Sequence, residues 1–111
     1  DVIITGGENI YPVQIEDFLR THDAINDVAV IGLPDQRLGE IVAAVIEFKP
    51  GFAATESEIA EFCNALPRYK RPCRIIFEKV PRNPTGKIEK PKLREKYFGI
   101  GSLVEAQTEN L

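Results

Sequence analysis

The amino-acid sequence predicts an α+β domain, a small mixed β-sheet flanked by helices. Three patterns carry this. Two apolar, β-branched runs, Asp27–Leu33 and Ile41–Phe48, lie close enough in sequence to form an antiparallel pair. Two other segments repeat apolar residues at helical spacing, Ile15-Phe18-Leu19-His22 and Ile59-Phe62-Cys63-Leu66. A third β run, Arg74–Phe77, follows the second helix. Strands and helices therefore interleave in short elements, in the order β-α-β-β-α-β-α.

The first element is a short β run, Val2–Ile4, followed by Thr5-Gly6-Gly7-Glu8-Asn9. Adjacent glycines after a strand allow backbone angles and close approaches that other residues forbid. Pro12 then suits a first helical position, where its fixed φ and missing N–H are tolerated. Glu16 and Asp17 early in that helix and Arg20 near its end suit the helix dipole. Residues 23–26 make a turn into the first long strand, whose apolar run predicts burial on both faces. Pro34–Gly39 is a turn-rich connection, and Lys49-Pro50-Gly51 ends the second long strand. Thr55 and Glu58 have the spacing of a capping box, and Pro67 ends the helix that they start. Pro81–Gly86 contains two prolines and a glycine and excludes regular structure. Pro91 starts a last short helix through Leu93 and Tyr97, and residues 99–111 lose periodicity and are expected to fray.

The chain's 111 residues fit one domain, and 43% hydrophobic with 28% charged residues is the balance of a globular protein. A formal net charge of -3 gives no nucleic-acid footprint. Two cysteines, Cys63 and Cys73, without C-x-x-C spacing or a neighbouring histidine, exclude the usual zinc site and a disulfide scaffold and suit a reducing cytosol. No apolar run is long enough to span a bilayer, and there is no signal-peptide pattern. The chain opens without methionine on Val2-Ile3-Ile4 and reads as a piece of something longer; removal of a tag or a start methionine would also account for it.

Lys87 stands out by position, in a loop constrained by Pro81, Pro84 and Gly86, with a long stem and a compact charge suited to a phosphate or carboxylate oxygen. Spacing alone also allows it to be one solvated cation among the fourteen lysines and arginines. Thr85-Gly86-Lys87 is not the end of a P-loop: Pro81 stands where that loop needs glycine, and Ile88 where it needs serine or threonine. Thr5-Gly6-Gly7 is either a narrow wall for a thin ligand or an ordinary glycine turn. Arg68, Lys70, Arg71 and Arg74 could meet a polyphosphate or an acidic partner, or simply be solvated. His22 completes an apolar stripe, and Cys63 is placed in the core.

Taken in order, these motifs resemble those of the adenylate-forming superfamily, which comprises acyl-CoA and aryl-CoA synthetases, peptide-synthetase adenylation domains and firefly luciferase. Asp1–Pro12 followed by Ile15-Glu16 is similar to the segment that opens the superfamily's small C-terminal lid domain. Gly32-Leu33-Pro34-Asp35 with Gly39-Glu40 is similar to its central turn. Tyr69-Lys70-Arg71-Pro72 and Pro81–Ile88 are similar to its two late motifs. The resemblance covers residues 1–98, read as the C-terminal domain, with 99–111 as the tail.

The resemblance implies a two-step reaction in which a carboxylate attacks the α-phosphorus of ATP, with Mg, and the CoA thiol then attacks the acyl-adenylate. It implies that Lys87 serves adenylation by holding carboxylate and α-phosphate oxygens together. After a large rotation, Thr5, Gly6 and Gly7 would replace it as a wall of the pantetheine channel, with Tyr69 and Arg71 near the CoA nucleotide. The implied partners are the chain's own N-terminal domain, a carboxylic acid and CoA, in the cytoplasm, with the hinge just before Asp1. ATP with Mg and the acyl pocket would belong mainly to that N-terminal domain. The sequence departs from some relatives at Cys73, where they have lysine, and at Leu38, where they have an aromatic, both near CoA; Gln14 stands where an acid is usual. A carrier-protein phosphopantetheine as acceptor, and a non-catalytic interaction module retaining the fold, are the alternatives.

Overall fold

Every long strand in this chain alternates residues that are apolar on both faces, so its sheet must be covered twice. A computed structural model, which describes residues 1–98, has this sandwich. Strands β1 (Ile3–Thr5) and β2 (Glu8–Ile10) form a hairpin, and α1 (Pro12–Leu19) follows. Strands β3 (Ile25–Asp35) and β4 (Gly39–Phe48) form the long antiparallel pair. Helix α2 (Glu56–Phe62) runs into two 3-10 turns, Cys63–Ala65 and Arg68–Lys70, before β5 (Arg74–Phe77) and α3 (Lys90–Tyr97).

β4 is the axis of the sheet. Its one side pairs with β3 from Asp35↔Gly39 to Ile25↔Phe48. On its other side Thr5 of β1 lies opposite Gly39, and β5 runs parallel from Ala43↔Arg74 to Ile46↔Phe77. The sheet is thus mixed, as predicted. Val28 and Val30 of β3 and Val42, Ala44 and Ile46 of β4 face α1 and α2, meeting Ile15, Leu19, Ile59 and Cys63. Ala29, Ile31, Leu33, Ile41, Ala43 and Val45 face the other way, against Val80, Leu93 and Tyr97. Period-2 alternation puts these sets on opposite faces, and both are buried.

Pro12 opens α1 and Pro91 lies in the first turn of α3. The capping box at Thr55 is formed in both directions: Glu58 N–H donates to Thr55 Oγ1 (3.1 Å) and Thr55 N–H to Glu58 Oε1 (3.0 Å). His22 lies beyond α1, with its ring edge-on to Phe62 at 4.8 Å.

Three features differ from the sequence reading. The residues after Gly7 form β2, because Gly6 and Gly7 close a two-residue hairpin. β3 is longer at both ends than its apolar run, since a bulge between Ile25 and Asp27 restores the inward facing of Ile25. Glu16, expected early in the helix as a partner of its dipole, lies past the first turn and is 6% exposed, its carboxylate on the free edge of β3. Its Oε2 accepts from Val30 N–H (2.9 Å) and from Lys90 Nζ (2.9 Å), while Arg20 Nη2 donates to the Val28 carbonyl (3.3 Å). Glu16 of α1 and Arg20 at its C-cap thus occupy backbone groups that an edge strand leaves open. Lys90 and Arg94 of α3 also hold Asp1, at 3.0 and 3.2 Å. No helix among the described residues is long and apolar enough to cross a membrane. The frayed tail expected over 99–111 lies outside the described residues.

Candidate functional site

Lys87 stands near the tip of a loop that is irregular yet internally bonded. Asn83 organises it: its Oδ1 accepts from Thr85 N–H (3.0 Å), Thr85 Oγ1 (2.7 Å) and Lys87 N–H (2.9 Å). Asn83 N–H donates to the Lys87 carbonyl (2.8 Å) and Gly86 N–H to the Asn83 carbonyl (2.9 Å). Gly86 has φ +87°, a backbone conformation that side-chain-bearing residues rarely adopt. Below the tip, Arg82 and Ile88 form an isolated antiparallel bridge, and Glu89 N–H donates to the Pro81 carbonyl (2.8 Å). The Lys87 side chain is exposed and has no hydrogen bond or ion pair among the described residues.

This loop is fastened to the Ile25/Phe48 end of the long hairpin. Arg82 grips Asp27 with Nε on Oδ2 (2.7 Å) and Nη2 on Oδ1 (2.9 Å), and also donates from Nη1 to the Gly86 carbonyl. Burial alone would raise the Asp27 pKa, but the Arg82 hydrogen bonds, the Val28 N–H and the charges of Arg82 and Arg20 hold it below the ordinary carboxylate value. Glu47 fixes the loop's entry, accepting from Val80 N–H at 2.9 Å. An open polar cleft of about 770 Å³ lies here, lined by Arg20, Asp27, Glu47, Lys79 and Arg82 among others.

Thr5, Gly6 and Gly7 are at the opposite end. Gly6 and Gly7 have φ of +54° and +84°, both needed by the tight turn between β1 and β2. Gly6 N–H donates to the Leu38 carbonyl (2.9 Å), setting this turn beside the β3–β4 turn. A Cβ on Gly6 would touch Leu38 Cδ2 at 3.4 Å, whereas Gly7 faces open space. Asp27, near the start of β3, and Asp35, at its end, are about 26 Å apart at ~3.3 Å per residue. The sheet therefore carries the Lys87 loop and the glycine turn at its two ends.

Tyr69 and Arg71 belong to the glycine-turn half, since their segment enters β5 with Cys73 N–H on the Val42 carbonyl (2.8 Å). Tyr69 is exposed, with Lys70 Nζ 5.7 Å from its ring centroid. Arg71 is engaged in holding the chain: Nε donates to the Leu66 carbonyl (3.0 Å) and Nη2 to the Asn64 carbonyl (3.1 Å). Lys70 bonds Gln14 Oε1 at 3.0 Å. Arg74 of the same basic cluster also donates to backbone, from Nη1 to the Cys73 carbonyl (3.1 Å). Cys63 is buried, and burial pushes its thiol pKa up against the lowering charge of Arg71, so it is core rather than nucleophile. Among the described residues no three His, Cys, Asp or Glu side chains converge to hold a cation.

Sequence reasoning did not find Asp27 and Arg82, which are 55 positions apart and share no motif. Glu16 entered the sequence reading as an early acid suited to the helix dipole and as part of the Ile15-Glu16 motif, not as a buried group.

Comparison with known proteins gives concordant matches. The model of the "AMP-binding enzyme C-terminal domain" family matches residues 14–87. The long-chain-fatty-acid–CoA ligase FadD13 of Mycobacterium tuberculosis is 50% identical over 99 residues, covering 87% of this chain and 20% of that protein. The human mitochondrial medium-chain acyl-CoA ligase ACSF2 is 45% identical over 97 residues, covering 86% of this chain and 16% of its own length. Among solved structures, ATP-bound MatB from Rhodopseudomonas palustris superposes with a TM-score of 0.86 at 36% identity, over 91% of this chain and 20% of that one. The chain spans 16–20% of the length of these relatives.

Proposed function

The chain belongs to the AMP-binding enzyme C-terminal domain family, and from that premise we propose that it is the mobile C-terminal domain of an ATP-dependent, AMP-forming acid–CoA ligase, acting with its own N-terminal domain in the cytoplasm. Lys87 is the adenylation lysine. It approaches the carboxylate and the α-phosphate of MgATP together, neutralising charge while the carboxylate oxygen bonds to α-phosphorus and the bond to pyrophosphate breaks. After rotation of the domain, the face of Thr5, Gly6 and Gly7 backs the pantetheine channel, where the CoA thiolate attacks the acyl carbon and AMP leaves. Tyr69 and Arg71 lie toward the CoA nucleotide, Tyr69 by its exposed ring. Arg71, with two of its nitrogens on carbonyls, would act mainly by shaping that surface.

The observation that carries this reading is the separation of a lysine without an ion-pair partner among the described residues, on an ordered loop, from a bare glycine turn at the other end of the same sheet. A rigid body with two such ends can present one or the other by rotating. The test is a split of half-reactions in the full-length enzyme. Lys87→Ala should lower ATP–pyrophosphate exchange about a hundred- to a thousandfold while thioester formation from supplied acyl-adenylate continues, and equal loss of both would refute the role. The 111-residue chain alone should show no exchange.

A further inference from the structure

We infer that Asp27 and Arg82 are positioning residues for adenylation, a clamp that aims the Lys87 loop without touching substrate. This rests on the reading of Lys87 as the adenylation lysine; it adds Asp27, which lies outside the Pro81–Ile88 motif, and gives a role to Arg82 within it.

The geometry is specific. Arg82 uses Nε and Nη2 on the two oxygens of Asp27, a bidentate match of planar groups. Its Nη1 donates to the carbonyl of Gly86, the residue immediately before Lys87. One guanidinium therefore ties the loop tip to a strand. Asp27 is itself fixed, with its side chain 13% exposed, and its Oδ1 accepts from Val28 N–H at 2.9 Å. Arg20 Nη2 stands 3.7 Å from the same oxygen. The position of β3 is thus transmitted through Asp27 and Arg82 to the backbone that carries Lys87.

The chemistry needs such a device. Lys87 has a flexible four-carbon stem and no partner of its own among the described residues, so its reach is only as defined as its Cα. A misplacement of about 1 Å in a positioning group costs on the order of a hundredfold in rate. Asn83 orders the tip internally, but its bonds to Thr85 and Lys87 all lie within the loop and would move with it. The Asp27–Arg82 clamp sets the direction of the whole finger. The glycine turn, about a strand's length away, has no part in it.

The test uses the full-length enzyme with Asp27→Asn, which keeps the Val28 acceptor and shape but loses one arm of the bidentate pair. Arg82→Lys, which keeps the charge but cannot span all three acceptors, is the second variant. Both should lower ATP–pyrophosphate exchange about ten- to a hundredfold, leave thioester formation from supplied acyl-adenylate within about twofold, and lower the thermal midpoint by no more than a few degrees, so that the fold is kept. Lys87→Ala is measured beside them. Exchange lost in Lys87→Ala but intact in both clamp variants overturns the clamp and leaves the role of Lys87 standing. Equal loss of both half-reactions overturns it too, since the pair would then be merely structural. Exchange that survives Lys87→Ala overturns the lysine's role and the clamp together.

Discussion

The two ends of the sheet are built by different means. The Lys87 loop is held by side chains: Asn83 closes the tip, Glu47 fixes the entry, and Arg82 bolts the loop to Asp27. The Gly6–Gly7 turn hangs mainly on backbone, with Gly6 N–H on the Leu38 carbonyl and Thr5 opposite Gly39. One side chain, Glu40, reaches Ile4 N–H at 3.0 Å. A charge on a long stem needs an aimed support, whereas a smooth wall needs only a turn without side chains. The difference teaches that substitution should act on one end through geometry and charge, and on the other through backbone angle and bulk.

The largest break in this symmetry is Lys87→Ala. Removing a charge that acts in a transition state costs about a hundred- to a thousandfold, expected in exchange and not in thioester formation. A loss shared by both half-reactions would erase the proposed division of labour. Glu16→Ala comes next and should act on neither end in particular. It strips Val30 N–H and Lys90 of a buried partner in the middle of β3, at a cost of about 2–4 kcal/mol in stability. The thermal midpoint should fall clearly and both half-reactions together, as the folded fraction does. A selective effect on one half-reaction would make Glu16 part of one end.

Much of this was legible in the sequence because it depends on short-range rules. The capping box Thr55/Glu58, the proline starts and the β3–β4 pair follow from neighbours a few residues apart, and the motifs of the two ends are local strings. Legibility fails where a feature is closed by distant partners. β2 was invisible because Glu8-Asn9-Ile10 has no β pattern of its own and is a strand only through pairing with β1. The Asp27–Arg82 clamp and the burial of Glu16 exist only after β3, α1 and the Lys87 loop are packed. Arg71 looked like a phosphate ligand by charge; its bonds to Leu66 and Asn64 appear only in the folded chain.

Gly7 offers a finer test of the other end. Its φ of +84° makes Gly7→Val strained by about 1–2 kcal/mol, while Gly7→Asn tolerates that angle better. A Cβ at Gly7 meets nothing within 4 Å. If the wall must stay bare for a thiol arm, both variants lower thioester formation about tenfold and spare adenylation. Full thioester formation in Gly7→Asn would reduce Gly7 to a turn residue.

The smallest expected effect separates the ends by pH. Asp27 has a folded pKa below its ordinary value, from Arg82, Val28 N–H and Arg20 acting against burial. A lowered carboxylate pKa contributes stability that is fully present above the unfolded value of about 3.9 and is lost as pH falls through the folded value. The charged groups around the pair are Arg20, Arg82, Glu47 and Glu16, and the two acids add to the charge that favours Arg82. The difference in thermal midpoint between the chain and its Asp27→Asn variant should therefore be constant from about pH 5 to 7 and shrink below about pH 4. The corresponding difference for Gly7→Val, which involves backbone angle and no proton, should not change with pH. An Asp27 difference that persisted to about pH 2 would mean that the contact acts through shape rather than charge. Arg82 would then anchor the Lys87 loop as a neutral donor could.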